Sequence, residues 1–333
     1  MNRDLELLIA FLAPIKTLLL DDSVTEIMGN PDGSWWYGRA GRMHRAEGVT
    51  FDARNLNTSL EVIANQLGKK LDNNHPLLNA QLPDGSRLAA VLAPVVKPFP
   101  SVTIRKFATV RYTVHDLIER GAMPMAIADF LRDQIEAGRT MLISGGTDSG
   151  KTTVLNALTD FIPEDERIVV IEDTRELRIA KPNVLAAECQ TDAHNGSVDF
   201  DDLLKASLRW RPDRIILGEI RREGARTLLD SFNTGHAGSM ATIHASSARQ
   251  ALRRFGELAM RSHQQSTRDD IAEEIGESVQ LVVQTQRFKS IRRISEIILV
   301  RGYDRILKAF EIDSFYDVAH ETIGAPIGNS HAA

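Results

Sequence analysis

Residues 145–152 read Gly-Gly-Thr-Asp-Ser-Gly-Lys-Thr, the spacing G-x-x-x-x-G-K-T. A glycine-framed loop followed at once by lysine and threonine suits one chemistry, the gripping of a polyphosphate. Glycine lets main-chain N–H groups approach an anion closely, and the N–H groups of a helix start point at it. An ammonium at Lys151 can reach the β- and γ-phosphates, and the Thr152 hydroxyl is a hard oxygen donor for Mg²⁺. The alternative is a glycine-rich turn with a chance Lys-Thr. The flanks argue against it: the apolar run Thr140-Met141-Leu142-Ile143-Ser144 precedes the loop, and Thr153-Val154-Leu155-Asn156-Ala157-Leu158, of helical composition, follows. Strand, loop and helix in that order are what turn this pattern into a phosphate cradle. Gly145, Gly146, Thr147, Asp148, Ser149, Gly150, Lys151, Thr152 and Thr153 are therefore the candidate ATP-binding residues.

A cradle alone hydrolyses nothing. Phosphoryl transfer also needs a carboxylate for metal or water and positive charge on the γ-phosphate. Ile215-Ile216-Leu217-Gly218-Glu219 is an apolar strand ending in an acid, and Val169-Val170-Ile171-Glu172-Asp173 repeats the design. Carboxyl ends of parallel strands face the ligand crevice, so Glu219 is placed to polarise a water or support Mg²⁺, with Glu172 as a second acid. The competing reading is two capping or ion-paired acids. His236 and His244 flank another strand at a spacing of eight, which suits no zinc motif; they are candidates for a γ-phosphate sensor or for purely structural work. Arg87 and Arg105 fall on expected strands of the N-terminal region, either solvated or acting as arginine fingers.

The elements that must carry these residues follow from pattern. Residues 1–112 read as an α+β unit: strands at Val24–Met28 and from Trp35, a helix with apolar residues from Leu56 to Leu71, a hairpin about Pro83-Asp84-Gly85, and a strand at Ser101–Arg105. Residues 113–138 read as connector helices, with Thr113 as N-cap and Asp116 three residues on. Over 139–323, strands at Thr140–Ser144, Arg167–Glu172, Val184–Cys189, Asp213–Gly218 and Ser239–His244 alternate with helices at Lys151–Phe161, Phe200–Trp210, Glu223–Asn233 and Ser246–Met260. Such alternation argues a parallel sheet with crossover helices. Leu281–Asp317 is strand-rich and reads as an antiparallel extension, and 324–333 as a disordered tail.

Bulk properties narrow the class. The chain has 333 residues, 43% hydrophobic and 26% charged, with a net charge of −5. That balance suits a soluble globular protein of about two domains and counts against tight nucleic-acid binding. The single cysteine, Cys189, excludes an internal disulfide and a Cys-rich zinc site, and is expected as a core thiol. Leu7–Leu20 is apolar-rich but interrupted by Pro14 and Lys16. It falls short of the roughly 18 apolar residues of a bilayer span, lacks signal-peptide chemistry, and reads as an amphipathic first helix of a cytoplasmic protein.

Four stretches together resemble one family. They are Gly145–Thr153, Ile171-Glu172-Asp173-Thr174-Arg175-Glu176-Leu177, Arg211-Pro212-Asp213-Arg214-Ile215-Ile216-Leu217-Gly218-Glu219-Ile220-Arg221, and Thr234-Gly235-His236 through Thr242-Ile243-His244-Ala245. In order and spacing they are similar to the Walker A, Asp, Walker B and His boxes of the type II/type IV secretion traffic ATPases. Val24-Thr25-Glu26-Ile27, Asp84-Gly85-Ser86-Arg87 and Ser101–Lys106 resemble that family's N-terminal domain. The layout looks most like conjugal-transfer ATPases of the TrbB type, with tight-adherence pilus ATPases as rivals; the four-Cys insertion of the type II branch is missing. The resemblance implies an α/β fold: a C-terminal RecA-like P-loop domain with a mostly parallel sheet, preceded by a smaller α+β N-terminal domain. It further implies Mg²⁺-dependent ATP hydrolysis by a homohexamer at the cytoplasmic face of the inner membrane, working on secretion or conjugation channel components. Carried over residue by residue, it gives Lys151 and Thr152 to phosphate and Mg²⁺, Glu219 to the Walker B acid, Glu172 to the Asp-box acid, His236 and His244 to the His box, and Arg87 and Arg105 to phosphate-facing arginines. One departure is Asp148, where the family has glycine; a carboxylate there is expected to weaken nucleotide binding relative to Asp148→Gly.

Overall fold

The computed structural model describes residues 9–39, 41–107, 111–192, 196–260, 266–289, 291–318 and 322–323; the tail expected over 324–333 lies outside the described residues. The chain divides into two compact units, Met1–Val110 and Arg111–Ala333.

In the first unit, the sequence from Ala13 makes a 3₁₀ turn, Ala13–Ile15, then a short helix α1, Lys16–Leu20. Pro14 sits in the turn, so one continuous amphipathic helix does not form there. Six strands follow: β1 Val24–Gly29, β2 Trp35–Arg39, β3 Arg42–Arg45, β4 Leu77–Gln81, β5 Arg87–Val91 and β6 Ser101–Arg105. They form one sheet in the order β3-β2-β1-β6-β5-β4, every pairing antiparallel. Helix α2, Ala53–Gln66, starts at Asp52, whose carboxylate accepts from the Arg54 and Asn55 N–H groups. It buries Leu56, Leu60, Ile63 and Ala64 against Ile27, Trp35, Leu88 and Ile104. The helical period extends to Leu71 in the sequence, but Gly68, at φ +68°, ends the helix in the left-handed conformation. Leu71 is buried beyond the helix end.

The second unit opens with helices α3, Val114–Glu119, and α4, Met125–Glu136. Thr113 and Asp116 form a reciprocal capping box at the start of α3. Then come β7 Met141–Gly145, α5 Lys151–Leu158, β8 Ile168–Glu172, β9 Val184–Glu188, a ribbon of β10 Gln190–Asp192 and β11 Gly196–Val198, α6 Phe200–Ser207, β12 Arg214–Leu217, α7 Ala225–Asn233, β13 Met240–His244, α8 Ala248–Met260, α9 Arg268–Ser278, β14 Leu281–Phe288, β15 Ile291–Asp304, β16 Ala309–Asp317 and β17 Thr322–Ile323.

The main sheet runs β17-β16-β15-β14-β7-β13-β12-β8-β9. Strands β9, β8, β12, β13, β7 and β14 are mutually parallel, and β15 to β17 continue it antiparallel. Its central strands are buried on both faces. Met141 and Ile143 point into one core with α3, α4 and α5, while Leu142 points into another with α6 to α9. That is why these strands are continuous apolar runs rather than alternating ones. The antiparallel extension expected from Leu281 begins one strand later, because β14 pairs parallel with β7. Helix α9, capped by Thr267 and Asp270, and strand β3 were not anticipated from the sequence.

Candidate active site

The strand order gathers the chemistry along one edge. The phosphate-loop strand β7 lies between β13 and β14, and β12 and β8 follow on the far side of β13. All run parallel, so their carboxyl ends share the sheet edge where Gly145, His244, Glu219 and Glu172 fall. His244 is the direct partner of Gly145 in register.

The loop is bent by two left-handed residues, Asp148 at φ +58° and Gly150 at φ +94°. Gly150 caps α5 without a side-chain hydrogen bond, which leaves the first N–H groups of the helix free of side-chain acceptors. Buried Ser149 fixes the loop from within: its Oγ lies 2.8 Å from both Gly146 O and Thr285 Oγ1. Thr285 Oγ1 in turn donates to Ser144 O at 2.9 Å. A Cβ on Gly145 would meet Ser149 Oγ at 2.3 Å and the Thr285 carbonyl oxygen at 2.6 Å, so only glycine fits there.

Lys151 Nζ donates to Gly145 O at 3.1 Å, Gly146 O at 2.9 Å and His244 Nδ1 at 2.9 Å. An ammonium has no lone pair, so Nδ1 must accept. The other ring nitrogen, Nε2, then carries the hydrogen toward Thr147 Oγ1 at 3.0 Å. His244 is thereby set as the neutral Nε2–H tautomer. Burial, with the adjacent Lys151 charge, holds its pKa below the ordinary histidine value. Burial also lowers Lys151, opposed by the charges of Glu219 and Glu176. Glu219, half-buried just past β12, therefore acts on both Lys151 and His244.

Glu172 is buried at 3% exposure. Its Oε1 accepts from the N–H groups of Glu176 at 2.9 Å and Leu177 at 3.0 Å, and its side chain packs where a Cβ on Gly218 would meet Cγ at 3.0 Å. Desolvation raises its pKa to about 7, against the two N–H donors that favour the anion. At a strand spacing of about 4.8 Å, its strand lies some ~14 Å from β7. Glu172 thus holds the turn that carries Glu176 and packs beside Gly218, the residue before Glu219.

His236 is a correction. The Gly235–Gly238 loop precedes β13 and sits at the strand's amino end, whereas the phosphate loop sits at the carboxyl ends. Four residue steps of strand alone separate the two ends by about 13 Å. His236 Nδ1 donates instead to Ser231 O at 3.2 Å, so it is not a phosphate contact of its own chain. Arg87 and Arg105 belong to the other unit, where they are direct cross-strand partners on β5 and β6, with Glu26 opposite Arg105 on β1. Thr152 and Thr153 lie half-buried on the first turn of α5. Cys189 is half-buried rather than in the core, and burial pushes its thiol to about 11.

Sequence reading missed three participants. Glu176, whose main-chain N–H is held by Glu172, adds its charge to that of Glu219 in opposing the fall of the Lys151 pKa. Arg287 and Arg292, on β14 and β15, both bind Asp148, so its carboxylate is engaged by two guanidinium groups of its own chain. Nothing in a local motif ties residues so distant in sequence; the register of β14 on β7 does.

A family model described as type II/IV secretion system protein matches residues 11–296. The conjugal transfer protein TrbB of Rhizobium radiobacter is 38% identical over 289 residues, 85% of this chain and 86% of that protein. The type IV secretion system protein VirB11 of Bartonella quintana (strain Toulouse) is 30% identical over 335 residues, 89% of this chain and 94% of that protein. Among solved structures, the Legionella pneumophila ATPase DotB superposes with a TM-score of 0.59 at 18% identity, over 92% of this chain and 78% of that one; this likeness concerns the fold alone.

Proposed function

The chain belongs to the type II/IV secretion system protein family, and on that premise we propose that it is the ATP-hydrolysing motor subunit of a type IV secretion or conjugal transfer system. The observation that carries the reading is the convergence of Lys151, His244 and Glu219 on one phosphate loop at the carboxyl edge of a parallel sheet.

The reaction is ATP + H₂O → ADP + phosphate. The loop and the first turn of α5 bind the phosphates through main-chain N–H groups. Lys151 brings its charge to them. Glu219 orients the attacking water, and His244 reports on the γ-phosphate through its link to Lys151. Thr152 and Glu219 would hold Mg²⁺, which when bound offsets charge between the phosphates. The donor set fits: an alcohol and one carboxylate are hard oxygens, and Mg²⁺ takes its remaining ligands from substrate phosphates and water. Among the described residues no group of three or more His, Cys, Asp or Glu could hold a metal ion by itself. The family resemblance alone makes Arg87 and Arg105 of the first unit candidate phosphate-facing arginines.

The assembly is a homohexamer at the cytoplasmic face of the inner membrane, working on channel components; family membership supports this. The attachment proposed is peripheral; among the described residues no helix is long and apolar enough to cross a membrane.

The experiment is a paired variant. Lys151→Ala should lose both ATP binding and turnover. Glu219→Gln should keep ATP binding while turnover falls by about 10²-fold or more, the scale of one lost transition-state interaction. Full turnover in Glu219→Gln would remove Glu219 from this role, and unchanged ATP binding in Lys151→Ala would remove the loop.

A further inference from the structure

The tip of the phosphate loop is strapped to the β14–β15 hairpin. Asp148 Oδ1 accepts from Arg292 Nη2 at 2.5 Å, and Oδ2 accepts from Arg287 Nη1 at 2.6 Å. Arg292 Nε also donates to the Asp148 main-chain oxygen at 3.0 Å. One guanidinium thus spans the carboxylate and the carbonyl of a residue held at φ +58°. The methylenes of Arg292 lie over Gly150, where an added Cβ would meet them at 3.3 and 3.4 Å.

Three physical consequences follow. Arg287 and Arg292 are direct cross-strand partners, a repulsive pairing that the Asp148 carboxylate between them makes favourable. A peptide is planar and trans, so fixing the Asp148 carbonyl on Arg292 turns the Ser149 N–H to the opposite side. Asp148 pays a left-handed strain that glycine avoids, and two charge-assisted bonds to its side chain offset that.

We infer that Arg287 and Arg292 are positioning residues for the nucleotide. With Asp148 they fix the peptide planes at the loop tip, so its N–H donors are set before a polyphosphate arrives. They act through the loop, and the gain is preorganisation rather than a new contact. This rests on the ATP-binding reading above. It reverses the sign expected for Asp148 from sequence: the carboxylate supports nucleotide binding by holding the two arginines.

The test uses the full chain, a fluorescent ATP analogue for affinity, steady-state turnover, and thermal melting. Arg292→Ala should raise Kd and KM for ATP about tenfold, equivalent to 1.4 kcal/mol, with kcat within about twofold and the melting temperature nearly unchanged. Arg292→Lys should recover only part of the loss, because an ammonium lacks the fork that bridges carboxylate and carbonyl. Asp148→Gly should weaken ATP binding several-fold in the native background and add nearly nothing on Arg292→Ala, as coupled residues do. Unchanged affinity in Arg292→Ala, full recovery by lysine, or tighter binding in Asp148→Gly would each overturn the inference. Should Arg292→Ala fail to fold, Arg287→Ala and Arg292→Lys carry the same test. If the native chain binds ATP and Lys151→Ala does not, while Arg292→Ala matches native, only this inference falls. If the native chain does not bind ATP, the functional reading falls first.

Discussion

Single side chains at this site are poised by their surroundings rather than by their type. Glu172 is the clearest case. An ordinary glutamate is charged at neutral pH, but burial holds this one to about 7. Because the folded pKa is raised above the unfolded value, the group's contribution to stability is fully present below about pH 4.5 and is lost as pH rises through about 7. The shift corresponds to an order of 3 kcal/mol at most. Glu172→Gln keeps an oxygen for the Glu176 and Leu177 N–H groups and removes the ionisation. Its melting temperature relative to the native chain should therefore be several degrees more favourable at pH 8 than at pH 5, on a scale of about 2–4 °C per kcal/mol. Thermal melts across pH measure this, and a difference that does not change with pH would show that Glu172 is not desolvated. His244 shifts the other way. Its neutral form accepts from Lys151, so acidification sets two cations against each other at the loop.

Elements place these side chains, and the closest tolerances lie where elements touch. The phosphate loop is clamped between α5 and β14 through Ser149 and Thr285. Gly145 has no room for a methyl against Ser149 Oγ, Thr285 Oγ1 and the Thr285 carbonyl oxygen. Gly145→Ala must displace β14 or the loop, and backbone cannot yield cheaply. Overpacking of this kind costs about 1–3 kcal/mol, and here it falls on the anion-binding turn. The expected outcome is a folded chain with a modestly lower melting temperature and loss of ATP binding well beyond what the stability change explains. Nucleotide titration beside a thermal melt decides it; native affinity would mean the loop is not held as described.

At the scale of the molecule, the two units carry separate cores. Leu12 to Ile104 supply one, and Val114 to Tyr316 supply those on the two faces of the large sheet. Separate cores predict two calorimetric transitions rather than one, since cooperativity follows shared burial. The nucleotide ligands of the phosphate loop all lie in the second unit. ATP with Mg²⁺ at about 100 times its dissociation constant should therefore stabilise that unit by about 2.7 kcal/mol and raise its transition selectively. Calorimetry with and without nucleotide tests this; a single transition, or an equal rise of both, would show that the units unfold as one.

Local order was legible from residue types alone. Gly150-Lys151-Thr152 after an apolar strand, the Thr113–Asp116 cap, the Pro83-Asp84-Gly85 hairpin and the acid-terminated strands at Glu172 and Glu219 all follow from short-range sterics and hydrogen bonding, which neighbours in sequence dictate. Beyond the motif, the sequence left His236 and His244 equal, because period and spacing do not say which end of a strand faces the ligand. The parallel register of β13 on β7 separated them. It also took the pairing of β14 with β7, and of β15 with β14, to bring Arg287 and Arg292 onto Asp148. Such contacts join residues that no local rule connects; they exist only because burying the apolar faces of β7, β13 and β14 fixes one strand order and one register.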